Sequence, residues 1–410
     1  MSKSLSRVRS LSPDAAPEPP APPDARTART SRRPWLRHRA HVWTITAYAL
    51  IAVFMTLQRG VLDPHHRTYP DFRESFYHLI RHQDLYAHYA AQGTDLFKYS
   101  PAFALLFAPF ALPPFALGLL LWNLCNVFAL YLALTALLRR HEAGLAGLLL
   151  IPEVLTATQA SQSDTLVAAL IILAFVASVR GRPLGAAGTI GAGTVIKLFP
   201  LAGLSFAPFQ TRPWRTMLYT LAMLAVLAAL PLVVLSPHEL AVQYRAWADV
   251  TRVDALTRGR SVMGLLATMI PGSWSNWPIQ LLGTFVLLVP LAVRRDRWRE
   301  RRFRLLFLSS LLVYAVIFNH RAERSSFVIA VAGIVIWYVT GPRMLWRAAL
   351  LVLSSVGLRA APCILAWIVI QIDLLRPLAP RAGAPSPSLP RGGRARLPWL
   401  RPDAPMPRPW

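Results

Sequence analysis

Charged residues and cysteines are scarce in this sequence. Only 15% of its 410 residues are charged, whereas an ordinary soluble domain has about 25%. The two cysteines, Cys125 and Cys363, both lie within apolar segments, so neither a disulfide framework nor a cysteine-based metal site is indicated. The sequence also contains no HExxH, GxGxxG or GxxxxGK[S/T] motif. We therefore expect no metal, no cofactor and no nucleotide-binding fold.

The composition that remains is that of an all-α integral membrane protein. Hydrophobic residues make up 54% of the chain, and apolar runs recur with few charges, each approaching the roughly 20 residues that span a bilayer as a helix. The net charge is +25, from 44 Lys and Arg against 19 Asp and Glu. These basic residues gather at the ends of apolar segments, as the positive-inside rule predicts, so nucleic acid is not the expected partner.

Three regions follow from the composition. Residues 1–40 and 376–410 are rich in proline and arginine and cannot bury a core, so we expect two disordered, basic cytoplasmic tails. Such tails either contact anionic membrane lipid or serve only as topology determinants. Residues 41–375 form the expected transmembrane domain.

Basic flanks orient the apolar segments of this domain. The SRRPWLRHRAH stretch before the first span and the RRDRWRERRFR block at 294–304 are both expected to be cytoplasmic. The polar stretches 58–98 and 236–276 then become outer loops. About 11–12 transmembrane helices are expected, at Val42–Leu57, Phe115–Leu138, Ala143–Thr158, Thr165–Val179, a broken pair at 184–209, Met217–Leu235, Trp277–Val293, Leu305–Phe318, Phe327–Thr340 and 345–375.

The segment at 69–89, YPDFRESFYHLIRHQDLYAHY, carries the first candidate for catalysis. Apolar residues recur in it at near-helical spacing, which predicts an interfacial amphipathic helix. Asp71 could be a general base that deprotonates an acceptor hydroxyl, or the N-cap of this helix. On the residues alone the cap is favoured. Glu74, one helical turn on, is the second candidate base.

Other predicted outer segments carry groups suited to phosphate and sugar. The predicted topology places Lys197, in the IKLFP segment, on the outer side of the membrane, which the positive-inside rule disfavours for a lysine. Lys197 therefore either snorkels or pairs with an anion such as phosphate. Arg258 and Arg260 precede a helix start and could hold a phosphate, or pair with nearby acids. His320 could bind phosphate or relay a proton.

The candidate sugar or acceptor ligands fall in three segments. Lys98 and Tyr99 could instead anchor the chain at the membrane interface, and Gln159, Gln162 and Asp164 could instead satisfy backbone groups of their own loop. The other two candidates are Asn319 and Glu323.

The order of these motifs resembles glycosyltransferase family 87 of the GT-C superfamily, over about residues 42–375. The segments that carry the resemblance are KYSPAFALLFAPFALPP, QASQSDTL, IKLFP, SVMGLL, FNHRAERSSFVIA and APCILAW. The resemblance implies a GT-C-like polytopic bundle, a polyprenyl-phosphate-linked sugar donor, commonly of mannose, and inversion at the anomeric carbon. The family's catalytic aspartate maps onto Asp71. Better-known members have Tyr-Pro-Pro where this chain has Tyr99-Ser100-Pro101, which leaves the donor sugar and the acceptor open.

These observations predict a multi-pass plasma-membrane hexosyltransferase, with mannose as the first candidate sugar. Its site would lie on the extracytoplasmic face, with both termini cytoplasmic and a glycolipid or glycan as acceptor. Donor-phosphate ligands would be Lys197, Arg258, Arg260 and His320. The alternative is a transporter or flippase of lipid-linked sugars, because broken helices with a buried lysine also fit that class. The absence of matching repeats and the one-sided placement of polar groups argue against it.

Overall fold

The structure is a computed structural model that describes residues 34–62, 68–89, 95–356 and 360–376. Most of the described residues are helical. No strand occurs within these ranges, so the all-α prediction is confirmed there. The helical unit ends at Leu375, and of the remainder, Arg376–Trp410, only Arg376 is described. Residues 34–40, expected to belong to the disordered N-terminal tail, instead form the beginning of the first helix, Pro34–Leu57. Apart from these residues and Arg376, the two predicted tails lie outside the described residues.

We label the described α-helices in chain order. They are α1 Pro34–Leu57, α2 Thr68–Ile80, α3 Pro101–Leu106, α4 Ala108–Ala111, α5 Phe115–Leu137, α6 Arg140–Leu149, α7 Ile151–Gln159, α8 Asp164–Val179, α9 Pro183–Ile196, α10 Pro213–Ala229, α11 Pro237–Asp254, α12 Val262–Met269, α13 Trp277–Val293, α14 Arg301–Ile317, α15 Phe327–Thr340, α16 Leu345–Ser355 and α17 Ala360–Leu375. Tighter 3₁₀ segments follow α9, α10 and α13 at Phe199–Phe209, Leu230–Val233 and Arg295–Arg297, and a π-helical turn, Gln58–Leu62, follows α1.

Three described segments are long and apolar enough to cross a bilayer by themselves. They are Arg39–Gly60, Phe115–Leu137 and Pro213–Val233, and the other apolar helices have 10–17 residues. The last of the three buries only 17% of its most apolar window within the protein. So much exposed apolar surface would be costly in water, which indicates that this helix faces lipid. The count of about 11–12 spans stays a prediction.

Several predicted boundaries change in the structure. The expected single span Ala143–Thr158 is divided at Leu150 into α6 and α7, because Pro152 cannot donate a backbone hydrogen bond and so begins a new helix. The 236–276 stretch, expected to be a loop, contains α11 and α12. The 345–375 segment, for which either one long helix or two short helices broken at Ala361-Pro362 was expected, contains two helices, α16 and α17. Pro362 lies in the first turn of α17, where proline is tolerated.

The centre of the protein is formed by α14 and α15, most of whose residues are buried. Their close contact depends on Gly333, because a Cβ at that position would lie 2.6 Å from the Ser309 carbonyl oxygen. The turn that follows α14 begins at the end of this buried pair, and its own residues 318–321 are only partly buried. That turn carries Asn319, His320 and Glu323.

Candidate functional site

A cavity of about 400 Å³ opens where the first predicted outer loop, the end of α9, α11, α13 and the α14–α15 turn meet. This volume is typical of small-molecule sites. The structure brings seven of the predicted site residues together in its lining, namely Lys98, Tyr99, Gln162, Lys197, Asn319, His320 and Glu323. The other lining residues are Ile196, Leu198, Phe199, Trp247, Thr251, Gln280, Tyr314, Ala315, Phe318 and Arg321.

Lys197 enters the cavity wall because helix α9 stops immediately before it. Its backbone is extended, and a 3₁₀ segment begins at Phe199. Gly193 allows this turn, since a Cβ there would lie 2.8 Å from the Pro200 side chain. The predicted helix break is thus confirmed, and Pro200 lies just beyond it.

The ammonium group of Lys197 donates a hydrogen bond to the Asp164 carboxylate in the first turn of α8. The Asp164 side chain is fully buried, and that of Lys197 is 19% exposed. Of the two alternatives left open by the sequence, pairing with an anion is the one observed, and the anion is a protein carboxylate. Asp164 therefore offsets the charge that Lys197 brings to the cavity.

A chain of polar side chains crosses the cavity beside this ion pair. The Tyr99 hydroxyl donates to Gln162 Oε1 at 3.0 Å, and Gln162 Nε2 lies 3.5 Å from Glu323 Oε2. Ser100, the residue that departs from the family's usual motif, anchors this wall. Its hydroxyl donates to the Val195 carbonyl at 2.6 Å and accepts from the Phe103 N–H as the N-cap of α3. Groups of this kind match sugar hydroxyls.

A second ion cluster lies on the α11 side of the cavity. Asp254, the last residue of α11, contacts Lys98 Nζ at 3.2 Å through Oδ1 and Arg321 Nη1 at 3.0 Å through Oδ2. The Trp247 indole N–H also donates to the Lys98 carbonyl at 3.2 Å. This cluster joins the first outer loop, α11 and the α14–α15 turn.

His320 is held as a neutral hydrogen-bond donor. Gln280 Nε2 donates to the Phe318 carbonyl at 3.1 Å, which identifies it as the amide nitrogen, and it lies 3.1 Å from His320 Nδ1. Nδ1 therefore accepts, and Nε2 carries the proton. Burial lowers the pKa of His320 below its usual 6.5, and Arg321 adds to this effect while Asp254 opposes it.

Four predicted ligands do not line the cavity, namely Arg258, Arg260, Gln159 and the fully buried Asp164. The Arg258 guanidinium stacks on Trp274 and donates to the carbonyls of Gly272 and Trp274, at 3.2 and 2.8 Å. The backbone N–H of Arg260 donates to the Ala322 carbonyl at 2.9 Å. Gln159 is exposed at the end of α7. The segment that contains Arg258 and Arg260 therefore contacts the α14–α15 turn from outside the cavity.

Asp71 and Glu74 line a separate hollow of about 10 Å³, together with His78, Tyr89 and Asp95. Asp71 lies inside the first turn of α2 and not at its N-cap, and its Oδ1 accepts from the Asp95 N–H at 2.8 Å. Glu74 pairs with its neighbour Arg73 at 3.3 Å. The structure thus does not bring the predicted bases into the cavity.

An aromatic wall lies between this hollow and the cavity. The Tyr99 ring contacts Phe72 and Phe97, with ring centroids 4.9 and 5.7 Å apart. Phe97 also lines the hollow, whereas Tyr99 lines the cavity. The two spaces are therefore neighbours on either side of these rings.

Sequence reasoning missed Asp254 because it treated α11 as loop. It missed Arg321, which lies in the α14–α15 turn, because no local pattern joins it to Asp254. A signal for α11 was present in the order Ser236-Pro237-His238-Glu239, a capping box with proline at the first helical position. Both reciprocal hydrogen bonds of this capping box form between Ser236 and Glu239. The hydrogen bonds from the Ser236 backbone and side chain, together with that from His82, lower the pKa of Glu239 to about 2. Within the described ranges, no group of three or more His, Cys, Asp or Glu side chains could hold a metal ion.

Comparison with known proteins places this geometry in context. The family model of glycosyltransferase family 87 matches residues 97–319, more than half of the chain. The match begins just before Lys98 and ends at Asn319, so it covers most of the cavity lining but not Asp71. No curated protein matches the chain.

Proposed function

The chain belongs to glycosyltransferase family 87, and from this premise we propose that it is a membrane hexosyltransferase with a polyprenyl-phosphate-linked sugar as donor. Mannose is the first candidate for the sugar, and a glycolipid or glycan is the acceptor. We propose that transfer inverts the anomeric carbon and takes place on the outer face of the plasma membrane.

One observation carries this proposal. The same cavity is lined by cationic groups, by neutral hydrogen-bonding groups and by four apolar residues, Ile196, Leu198, Phe199 and Phe318. Of these four, Leu198 is 53% exposed. Cationic groups can bind a phosphate, neutral hydrogen-bonding groups can bind sugar hydroxyls, and apolar residues can contact a prenyl chain. A donor of this class therefore satisfies the whole lining.

The reaction assigns a role to each set. The acceptor oxygen attacks the anomeric carbon, the bond from that carbon to the phosphate oxygen breaks, and the phosphate leaves with the electron pair. In this proposal Lys197 and the His320 Nε2–H contact the donor phosphate. Tyr99, Gln162 and Glu323 hold sugar or acceptor hydroxyls.

A base must take the acceptor proton as the new bond forms. We propose Asp71, with Glu74 as the second candidate, as in the family resemblance. Because Phe97 and Tyr99 lie between Asp71 and the cavity, these rings must move aside, or the acceptor must reach the base past them. Glu323 is the one carboxylate among the lining residues described, and it is the competing base.

The direct test is transfer by membranes that contain the full chain. They are incubated with radiolabelled polyprenyl-phosphate-mannose, and lipids and glycans are separated to find a new labelled product. Membranes without the chain should form none. Movement of label across the membrane without a new glycosidic bond would refute the transferase proposal and favour the flippase alternative.

A further inference from the structure

The charged side chains around the cavity form two clusters. Asp164 is fully buried against Lys197 and offsets its charge on one wall. In the second cluster a single carboxylate, Asp254, contacts two cations, Lys98 and Arg321. Glu323, the carboxylate among the described lining residues, balances the remaining positive charge but forms no ion pair with either cation in the described structure.

Asp254 holds these two cations in a defined arrangement. Each carboxylate oxygen contacts a different cation, and the Asp254 side chain is only 10% exposed. The side chains of Lys98 and Arg321 are 33% and 32% exposed and both line the cavity, whereas Asp254 does not. Asp254 therefore contacts both cations from outside the cavity lining, and both cations remain partly exposed in the cavity. Without the carboxylate, two like charges would repel each other.

We infer that Asp254 positions Lys98 and Arg321 as a paired binding site for the phosphate that leaves the donor. This inference rests on the proposed function. The donor phosphodiester carries one negative charge, and breaking its bond to the anomeric carbon gives a phosphomonoester that carries up to two. The acceptor proton goes to the base, so the additional charge stays on the phosphate. Two cations that face the cavity beside each other are suited to the product-like state, because each can contact a phosphate oxygen.

Direct binding tests this role without knowledge of the acceptor. The purified full chain in detergent is titrated with farnesyl phosphate, a short prenyl monophosphate, by isothermal titration calorimetry, and with farnesol as the ligand without phosphate. Asp254→Asn should weaken farnesyl phosphate binding about tenfold or more, because charge-assisted contacts are lost. Farnesol binding should be unchanged.

Matched variants separate positioning from general damage. Asp249→Asn removes a carboxylate from the same helix, but that carboxylate is 70% exposed and pairs with exposed Arg252, so wild-type binding is expected. Asp254→Glu should recover part of the affinity. Lys98→Gln and Arg321→Gln should each weaken binding, and should add little to Asp254→Asn because they act through the same cluster.

Each outcome bears on the inference. Wild-type affinity for farnesyl phosphate in folded Asp254→Asn would overturn it. If Asp254→Asn does not fold, the inference would be overturned by wild-type affinity for farnesyl phosphate in both Lys98→Gln and Arg321→Gln. A wild-type chain that transfers sugar but does not bind farnesyl phosphate would overturn the inference and leave the proposed function intact. A wild-type chain that binds farnesyl phosphate but transfers no sugar would instead contradict the proposed function.

Discussion

Replacing Lys197 with methionine should destabilise the protein strongly. The Asp164 carboxylate is fully buried, one of its oxygens contacts Lys197, and the other has no hydrogen-bond partner among the described residues. Lys197→Met would leave an uncompensated buried charge. Removing one partner of a buried pair costs about 3–5 kcal/mol in the free energy of unfolding. Lys197→Met/Asp164→Leu, which removes both charges, should regain most of that loss.

Denaturant titration of the purified protein in mixed micelles measures this difference. Arg252→Met is the matched control, because it breaks an ion pair whose side chains are 80% and 70% exposed, and such pairs contribute about 0–1 kcal/mol. If Lys197→Met unfolds at the same denaturant concentration as Arg252→Met, the buried pair does not stabilise the fold as argued. The double variant also isolates function, since weak donor binding by this stable protein would show that Lys197 contacts the phosphate.

Further predictions concern the base, pH and topology. Asp71→Asn should fold normally, and its rate of sugar transfer, measured with labelled donor, should fall by about 10²–10⁴-fold. If Asp71→Asn transfers sugar at a near-normal rate and Glu323→Gln is inactive, the base is Glu323. His320 has a lowered pKa in the folded state, so the unfolded chain takes up its proton first and stability should fall as pH decreases from about 6.5. Melting curves from pH 7.5 to 5.5 should show this loss, and His320→Gln should reduce it; an unchanged slope would exclude His320 as its source. In a cysteine-free background of intact cells, an impermeant thiol reagent should label Asp249→Cys and spare Arg299→Cys, and the reverse pattern would refute the proposed orientation.

Local patterns in the sequence predicted the apolar helices well. Helices α5 and α13 begin at the predicted residues, Phe115 and Trp277, because the prolines and polar residues before them end the preceding segment. The break at Lys197 also followed from local composition. These features depend on neighbouring residues, so a single sequence contains the information for them.

The pairing of charges across the cavity could not be predicted in the same way. Lys98 and Asp254 are 156 positions apart, and no local signal joins them. The placement of Asp71 was also beyond local patterns, because its position in the first outer loop suggested a place in the cavity. It lies instead in a hollow of its own, which Phe97 also lines. Such side-chain packing is decided by tertiary structure.

The ion pair between α8 and α9 also bears on how the chain enters the membrane. A lysine at the centre of a membrane helix costs about 2.5–3.5 kcal/mol on the translocon scale, and Lys197 adjoins the apolar helix α9. Its partner Asp164 precedes it by 33 positions, at the start of α8. The ribosome therefore delivers the partner first, and the two helices can leave the translocon together as a hairpin whose charges are already neutralised. On this basis Asp164→Leu should lower the yield of inserted protein by leaving Lys197 to enter the bilayer alone.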